Sequence, residues 1–249
     1  MDMQHGAVGW LPQRTADLVR SAAAAAKERL GEDFVAALLV GNALHPERAD
    51  RGLRPQLLLV ARSLPPTSLA GLASSLKSSI REGVRPRTVT VSELERGADV
   101  FALELAEWKA RHWLVDGTDP LGTIEIAPAN LRHAIEFQLR GLGRRLRNRV
   151  LVGLSGHGRE DTKRAIFDAM DALSVACHHA LVCWGEEPPS FDAEVLRAIA
   201  KRSEADASHV VTLFNEVQKT GRIGSVEQAL AALLPFIELV TEAVDQIED

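Results

Sequence analysis

The chain has little cysteine, and the two cysteines that it has are poorly placed for a disulfide or a metal site. Cys177 and Cys183 are six positions apart within one candidate helix, so they would lie on different helical faces and outside disulfide geometry. His179 and Cys183 have the i, i+4 spacing of two ligands on one face. A structural zinc site, however, needs four ligands with paired spacings that the sequence lacks. We therefore expect reduced thiols in a helical core.

Long apolar runs and an excess of positive charge are also missing. The longest uninterrupted apolar run is 34–40, far short of the roughly 20 residues that span a bilayer. No basic segment followed by an apolar one marks the N-terminus as a signal peptide, so we expect a cytoplasmic protein without membrane contact. The formal net charge of −5 argues against a dedicated nucleic-acid binder, which normally has a basic domain.

The organisation of the chain changes near residue 128. The composition, 46% hydrophobic and 25% charged over 249 residues, is that of a globular protein long enough for two domains. Before residue 128, short apolar and alternating runs are separated by Pro and Gly, which is typical of strands mixed with helices. After it, apolar residues recur with helical period. We predict an α+β fold with an α/β domain over 1–127 and an all-α bundle over 128–249.

Five amphipathic helices are predicted in the second half. Two long helices come first, and the second ends at the break Gly185-Glu-Glu-Pro-Pro189. Two shorter helices cover about 192–203 and 207–219, and the last extends over 226–247. Pro235 lies inside the last pattern, where it should kink the helix or start a new one. Such helices bury their apolar stripes against one another, which favours a bundle. The first stripe consists of Leu131, Ile135, Leu139, Leu142, Leu146 and Val150.

Two strand-like segments in the first half carry the most informative pattern. The apolar run 34–40 leads into Gly41-Asn42, and a short linker then leads to the apolar run 57–61. This arrangement resembles the core of the nucleotidyltransferase (polymerase-β-like) superfamily, in which the first strand runs into Gly-Ser and the second opens with Asp-x-Asp. Gly41-Asn42 stands at the Gly-Ser place. Pro55 and Leu57 stand where the two metal-binding aspartates would be.

Chain order extends the resemblance beyond these strands. A candidate helix over 66–82, an alternating strand over 87–91 and a candidate third strand over 100–105 follow. The segment 108–120 looks like the one after the third strand in stand-alone bacterial nucleotidyltransferase-domain proteins. Many members of the superfamily also carry a C-terminal helical bundle. The resemblance thus implies a mixed sheet with flanking helices, followed by the bundle.

The missing aspartates matter because nucleotidyl transfer depends on metal ions. Mg²⁺ prefers oxygen ligands and reaches proteins mainly through carboxylates, and in two-metal sites the ions stabilise both the attacking and the leaving oxygen. Glu47 and Asp50 lie in the linker and Glu104 on the candidate third strand. By resemblance Glu104 corresponds to the family's third carboxylate; alternatively it is a solvated charge at a strand end. We expect no metal or other cofactor, with Mg²⁺ needed only if the chain is an active transferase.

The basic segment 140–149 is the remaining candidate for a binding surface. Arg140, Arg144 and Arg147 share one face of the first long helix, and arginine binds phosphate oxygens in bidentate geometry. With Gly41 and Asn42 they form a candidate site for a nucleotide or another phosphate. The alternative is a solvated helix face paired with acidic neighbours such as Glu136.

Three functions remain open. The first is a catalytically degenerate nucleotidyltransferase-fold protein, a pseudoenzyme that binds a nucleotide, a phosphate or a partner. The second is an active metal-dependent nucleotidyltransferase that modifies a small molecule or a protein. The third is an unrelated α/β-plus-helical interaction protein. Gly41 favours the first two, because glycine lets the backbone approach phosphates, and the missing Asp-x-Asp favours the first. We also expect a homodimer or a protein partner bound through the bundle.

Overall fold

The computed structural model describes residues 11–44, 55–155 and 159–247. It contains two compact units, Met1–Ile126 and Ala127–Asp249. The first has a four-stranded mixed sheet with flanking helices, and the second is helical. The predicted α+β class is therefore confirmed.

The sheet of the first unit has the strand order β3-β2-β1-β4. Strand β1 is antiparallel to both neighbours, β2 and β4, whereas β2 and β3 are parallel. A parallel pair needs a crossover connection, and α2 and α3 provide it. The strands are β1 (Phe34–Val40), β2 (Gln56–Ala61), β3 (Arg85–Thr90) and β4 (His112–Gly117). The helices are α1 (Gln13–Leu30), α2 (Pro66–Ser75), α3 (Lys77–Arg81), α4 (Val91–Arg96) and α5 (Ala102–Ala110).

The two central strands are apolar throughout because both faces of the sheet are covered. Successive side chains alternate between the faces. On one face Leu39 and Leu57 pack in a core with residues of α1 and α2. On the other, Leu38 and Leu58 pack with residues of α4 and α5. The sheet thus has an α1 face and an α5 face. Over 36–40 of β1 and 57–61 of β2, the odd-numbered side chains pack on the α1 face and the even-numbered ones on the α5 face.

Three predictions for the first unit need correction. The helix predicted over 66–82 is interrupted at Leu76, which separates α2 from α3. The third strand predicted over 100–105 is wrong, because this segment leads into helix α5. The true fourth strand, β4, falls in the segment 108–120 and was not predicted as a strand. Most residues of α5 are buried, so the sequence lacks the one-sided apolar stripe that identifies a helix.

The second unit contains the five predicted helices. All six residues of the first predicted stripe, from Leu131 to Val150, are buried. The last helix continues through Pro235 and does not start anew there; its stripe residues Leu233, Ile237 and Val240 are buried within the chain. The helices are α6 (Pro128–Leu154), α7 (Arg159–Cys183), α8 (Asp192–Arg202), α9 (Ser208–Thr220) and α10 (Val226–Asp245).

Helix α7 is the central helix of this bundle. It packs against α6, α8 and α10. Among the described residues, its segment Asp161–Cys183 is the one stretch long and apolar enough to cross a bilayer, and 56% of the most apolar window is buried in the unit. The segment therefore has the character of a bundle core helix. Both cysteines are free; Cys177 is buried and Cys183 partly buried, and burial raises the pKa of both thiols.

Candidate functional site

Strand β1 ends in a left-handed turn at Gly41. Its φ of 78° is one that residues with a Cβ rarely adopt. The chain then forms a short 3-10 helix, Gly41–Leu44. A Cβ on Gly41 would lie 3.2 Å from Nε2 of Gln56, the first residue of β2. Glycine thus permits both the turn and the close approach of Gln56. The side chain of Asn42 and the linker acids Glu47 and Asp50 lie outside the described residues.

Pro55 and Leu57, which correspond to the metal-binding aspartates in the resemblance, belong to the protein interior. Pro55 is buried, and its carbonyl oxygen accepts a hydrogen bond from the backbone N–H of Arg85 at 2.8 Å. Leu57 is 0% exposed and lies in the core on the α1 face. No residue of β2 carries a carboxylate. The side chains of this strand that reach the opposite face are those of Gln56, Leu58 and Val60.

Glu104 lies on helix α5, not on a strand, and its carboxylate is paired with the guanidinium of Arg87. Arg87 stands opposite Leu58 in the parallel register of β2 and β3, so it projects from the α5 face. Its guanidinium carbon also lies 5.9 Å from the ring centroid of Trp108. A carboxylate held by an arginine is an unfavourable ligand for a metal ion, because binding would require breaking the ion pair.

Glu104 and Leu57 are consequently on opposite faces of the sheet. The structure does not bring together the vestigial site that the sequence suggested, in which Glu104 accompanies Pro55 and Leu57. Within residues 11–44, 55–155 and 159–247, no three His, Cys, Asp or Glu side chains are grouped to hold a metal ion. Glu104 instead lines a cavity of about 380 Å³ formed by β3, α4 and α5.

The sheet edge beside Gly41 carries polar residues that the sequence did not single out. Val40 is aligned with Gln56 on β2 and with His112 on β4. His112 Nδ1 lies 2.8 Å from the carbonyl oxygen of Trp108, and its Nε2 lies 3.0 Å from Asp119 Oδ2. This edge therefore presents an amide and a fixed imidazole, not a pair of carboxylates. Alternation and strand pairing locate these residues, but only once β4 is recognised as a strand.

The acids of the segment 116–119 have structural roles. Asp116 lies in β4 and pairs with Lys27 of α1 at 2.8 Å. Asp119 Oδ1 accepts a hydrogen bond from the backbone N–H of Leu121 at 2.9 Å, as turn acids commonly do. Asp119 therefore caps the turn, whereas Asp116 is an ion-pair partner.

The arginine face lies on α6 in the second unit. Arg140 donates to Glu136 through Nε at 2.6 Å and lies 3.7 Å from Asp245; the hydrogen bond and the charge of Glu136 raise the pKa of Arg140. Arg144 and Arg147 are exposed. A Cβ on Gly143 would lie 3.5 Å from Arg147 Nη1. Arg140 is therefore a solvated side chain paired with acidic neighbours, whereas Arg144 and Arg147 are exposed and accessible to a ligand.

Comparisons with known proteins identify the fold. No protein-family model matches the chain, and no curated protein matches its sequence. Among solved structures it is similar to spectinomycin adenyltransferase AAD(9) from Enterococcus faecialis, determined with ATP and spectinomycin, with a TM-score of 0.56, 12% identity, and coverage of 94% of this chain and 99% of that chain. A nucleotidyltransferase-like protein from Exiguobacterium sibiricum is matched with a TM-score of 0.28, 13% identity, and coverage of 87% and 71%. The chain has the nucleotidyltransferase fold, with a helical C-terminal region.

Proposed function

We propose that this chain is a nucleotidyltransferase-fold protein that has lost two-metal catalysis and acts as a binding module. The observation that carries the proposal is the composition of β2, Gln56–Ala61, which has no carboxylate. The pairing of Glu104 with Arg87 also supports it. The transition-state charge of phosphoryl transfer would then lack the paired ions that normally stabilise it.

The test is a turnover assay with each common nucleoside triphosphate and Mg²⁺. We expect no transferred nucleotide and no released pyrophosphate. Turnover that disappears in Glu104→Gln but persists in Glu95→Gln, a matched change on the exposed surface of α4, would refute the loss of catalysis.

A phosphate-bearing compound is the ligand class that we propose for the module. The Gly41 turn offers backbone groups, and Arg144 and Arg147 offer exposed guanidinium groups; each set can contact phosphate within its own unit. Binding of ATP, followed by calorimetry, should weaken with salt. It should weaken further in Arg144→Ala with Arg147→Ala.

The matched control for these arginines is Arg197→Ala with Lys201→Ala, which removes two exposed charges from α8. The control should bind ATP like the wild type. Equal losses in the two double variants would show that only net charge matters, and no loss in either would leave the arginines as a solvated face.

A second function, that of an active transferase, has one feature in its favour. Glu47 and Asp50 lie in the linker between β1 and β2, close in sequence to Gly41. If they were metal ligands, Glu47→Gln and Asp50→Asn would each abolish any turnover found in the assay, whereas binding of ATP without Mg²⁺ would persist.

We also propose that the chain assembles through the bundle, with helix α6 and not the final helix α10 as the interface. Leu233, Ile237 and Val240 of the α10 stripe are buried within the chain, whereas Phe137 and Leu151 on α6 are 81% and 73% exposed. Their spacing places them on the helical side that carries Arg144 and Arg147. We expect light scattering to report a homodimer, and Phe137→Ser with Leu151→Ser to give a monomer. A wild-type chain that is monomeric over a broad concentration range would rule out the homodimer.

A further inference from the structure

The cavity beside Glu104 has the size of a small-molecule site. Its volume is about 380 Å³, and it lies between strand β3 and helices α4 and α5. Pockets for small organic ligands span roughly 300–1,000 Å³ and combine apolar walls with a few polar groups. The cavity therefore has room for a compact ligand with about ten non-hydrogen atoms.

The walls of this cavity are mainly apolar and aromatic. Val89 of β3 and Leu94 and Leu105 of the helices line it, together with Trp108. Phe101 also lines it and is 55% exposed. A large aromatic side chain that is half exposed at the cavity can gain burial when a ligand enters. The aromatic faces additionally favour a positive charge, through the ring quadrupole.

The charged groups of the cavity are one guanidinium and two carboxylates. Arg87 is already engaged by Glu104 and lies near the ring of Trp108. Glu93 Oε2 accepts hydrogen bonds from the backbone N–H and the hydroxyl of Thr90 at 2.7 and 2.8 Å, and these hydrogen bonds lower the pKa of Glu93. With both glutamates ionised, the formal charge of the lining is −1. An anionic ligand would meet an arginine that is already neutralised and a second, unneutralised carboxylate.

We propose that this cavity binds a small organic cation, an amine or quaternary ammonium with an apolar or aromatic body. The cationic group is attracted by the carboxylate of Glu93 and by the net negative charge of the lining, and the body is buried against Phe101 and Leu94. This site takes the opposite charge from the phosphate-bearing ligand proposed above and does not depend on it. Aromatic faces are the groups by which proteins recognise quaternary ammonium ligands elsewhere.

The test uses benzyltrimethylammonium chloride as the probe with the full-length protein, followed by ligand-observed NMR and calorimetry. We expect saturable binding with a dissociation constant of about 1 mM or lower, given the size of the probe. Benzyl alcohol, which is neutral, and phenylacetate, which is anionic, should bind at least about fivefold more weakly. An absence of saturation with benzyltrimethylammonium, or equal binding of either control compound, would overturn the proposal.

Two variants locate the site. Phe101→Ala removes the exposed aromatic wall. Glu104→Gln removes the counter-charge of Arg87 and changes the formal charge of the lining from −1 to 0. Each should weaken the probe by about fivefold or more. Glu95→Gln removes a carboxylate from α4 outside the cavity and should leave probe affinity unchanged. Wild-type affinity in both Phe101→Ala and Glu104→Gln would refute this location. Melting curves show whether both variants are folded. Glu104→Gln removes the ion pair with Arg87, whereas Phe101→Ala leaves it intact.

Discussion

Leu57→Asp tests whether the sheet can hold a metal ligand at the position that the sequence motif indicates. Leu57 is 0% exposed within the core on the α1 face. Truncating a buried leucine to alanine costs about 2–5 kcal/mol through lost burial and cavity formation. An aspartate adds the desolvation of a carboxylate without a partner, so we expect a total loss of more than about 4 kcal/mol. That loss should lower the melting temperature by more than about 10 °C.

The assay is thermal unfolding followed by tryptophan fluorescence, combined with hydrogen exchange of the β1 and β2 amides. Leu69→Asp is the matched control, because Leu69 lies on α2 and is 44% exposed. Its melting temperature should stay within about 2 °C of the wild type, since exposed substitutions usually change stability by less than about 0.5 kcal/mol.

A comparison of Leu57→Asp with Leu57→Asn isolates the charge. Burial should raise the pKa of the introduced carboxyl in the folded state above its unfolded value of about 3.9. The folded variant then holds a proton that the unfolded chain releases, so its stability falls as pH rises above about 4. The two variants should melt alike at lower pH and diverge at neutral pH. A Leu57→Asp protein that melts like the wild type at pH 7 would refute the buried assignment and reopen this position as a metal site.

Four further predictions concern stability and reactivity. Thr90→Ala should lower the free energy of urea unfolding by about 1 kcal/mol, because it removes the N-cap of α4. Glu93→Gln should be less stable than the wild type at pH 7, and this stability difference should disappear as the pH falls from about 4.3 through the lowered folded-state pKa of Glu93. An equal stability difference at all pH values would contradict this origin. Cys177 and Cys183 should react slowly with iodoacetamide at neutral pH but rapidly in denaturant, because burial raises both thiol pKa values and the thiolate is the nucleophile; fast labelling of the native protein would contradict that. Gly117→Ala should cost more than about 2 kcal/mol, since its φ is 93° and a Cβ would lie 2.1 Å from a carbonyl oxygen of β1; a wild-type denaturation midpoint would show that the close approach relaxes.

The second unit could be predicted from sequence because its helices are one-sided. Each buries one stripe, so apolar residues recur every three or four positions, as in the buried series from Leu131 to Val150 of α6. Strands β1 and β2 were recognisable for another reason. They are short continuous apolar runs bounded by Gly41 and Pro55, the pattern of strands buried on both faces.

The site was harder to predict, because side-chain direction follows from pairing and not from sequence spacing. Glu104 lies in α5, in which most residues, including Leu105 and Ala106, are buried. Because the burial is so even, the sequence shows neither the helical nor the strand periodicity of hydrophobic residues clearly. The assignment of Glu104 to a strand placed it, wrongly, next to Leu57. Register settles the matter: Leu58, not Leu57, lies opposite Arg87, and a one-residue shift moves a side chain to the other face.

The same register shows what a metal site on β2 would require. Aspartates at Pro55 and Leu57 would enter the apolar core, where their ionised forms are unstable. Aspartates at Gln56 and Leu58 would project from the other face, towards Arg87. There Glu104 is already paired with Arg87, so it could bind a divalent cation only if that ion pair broke. Within the described residues, β2 therefore has no carboxylate to offer a metal ion, and an arginine holds the carboxylate of Glu104 on α5.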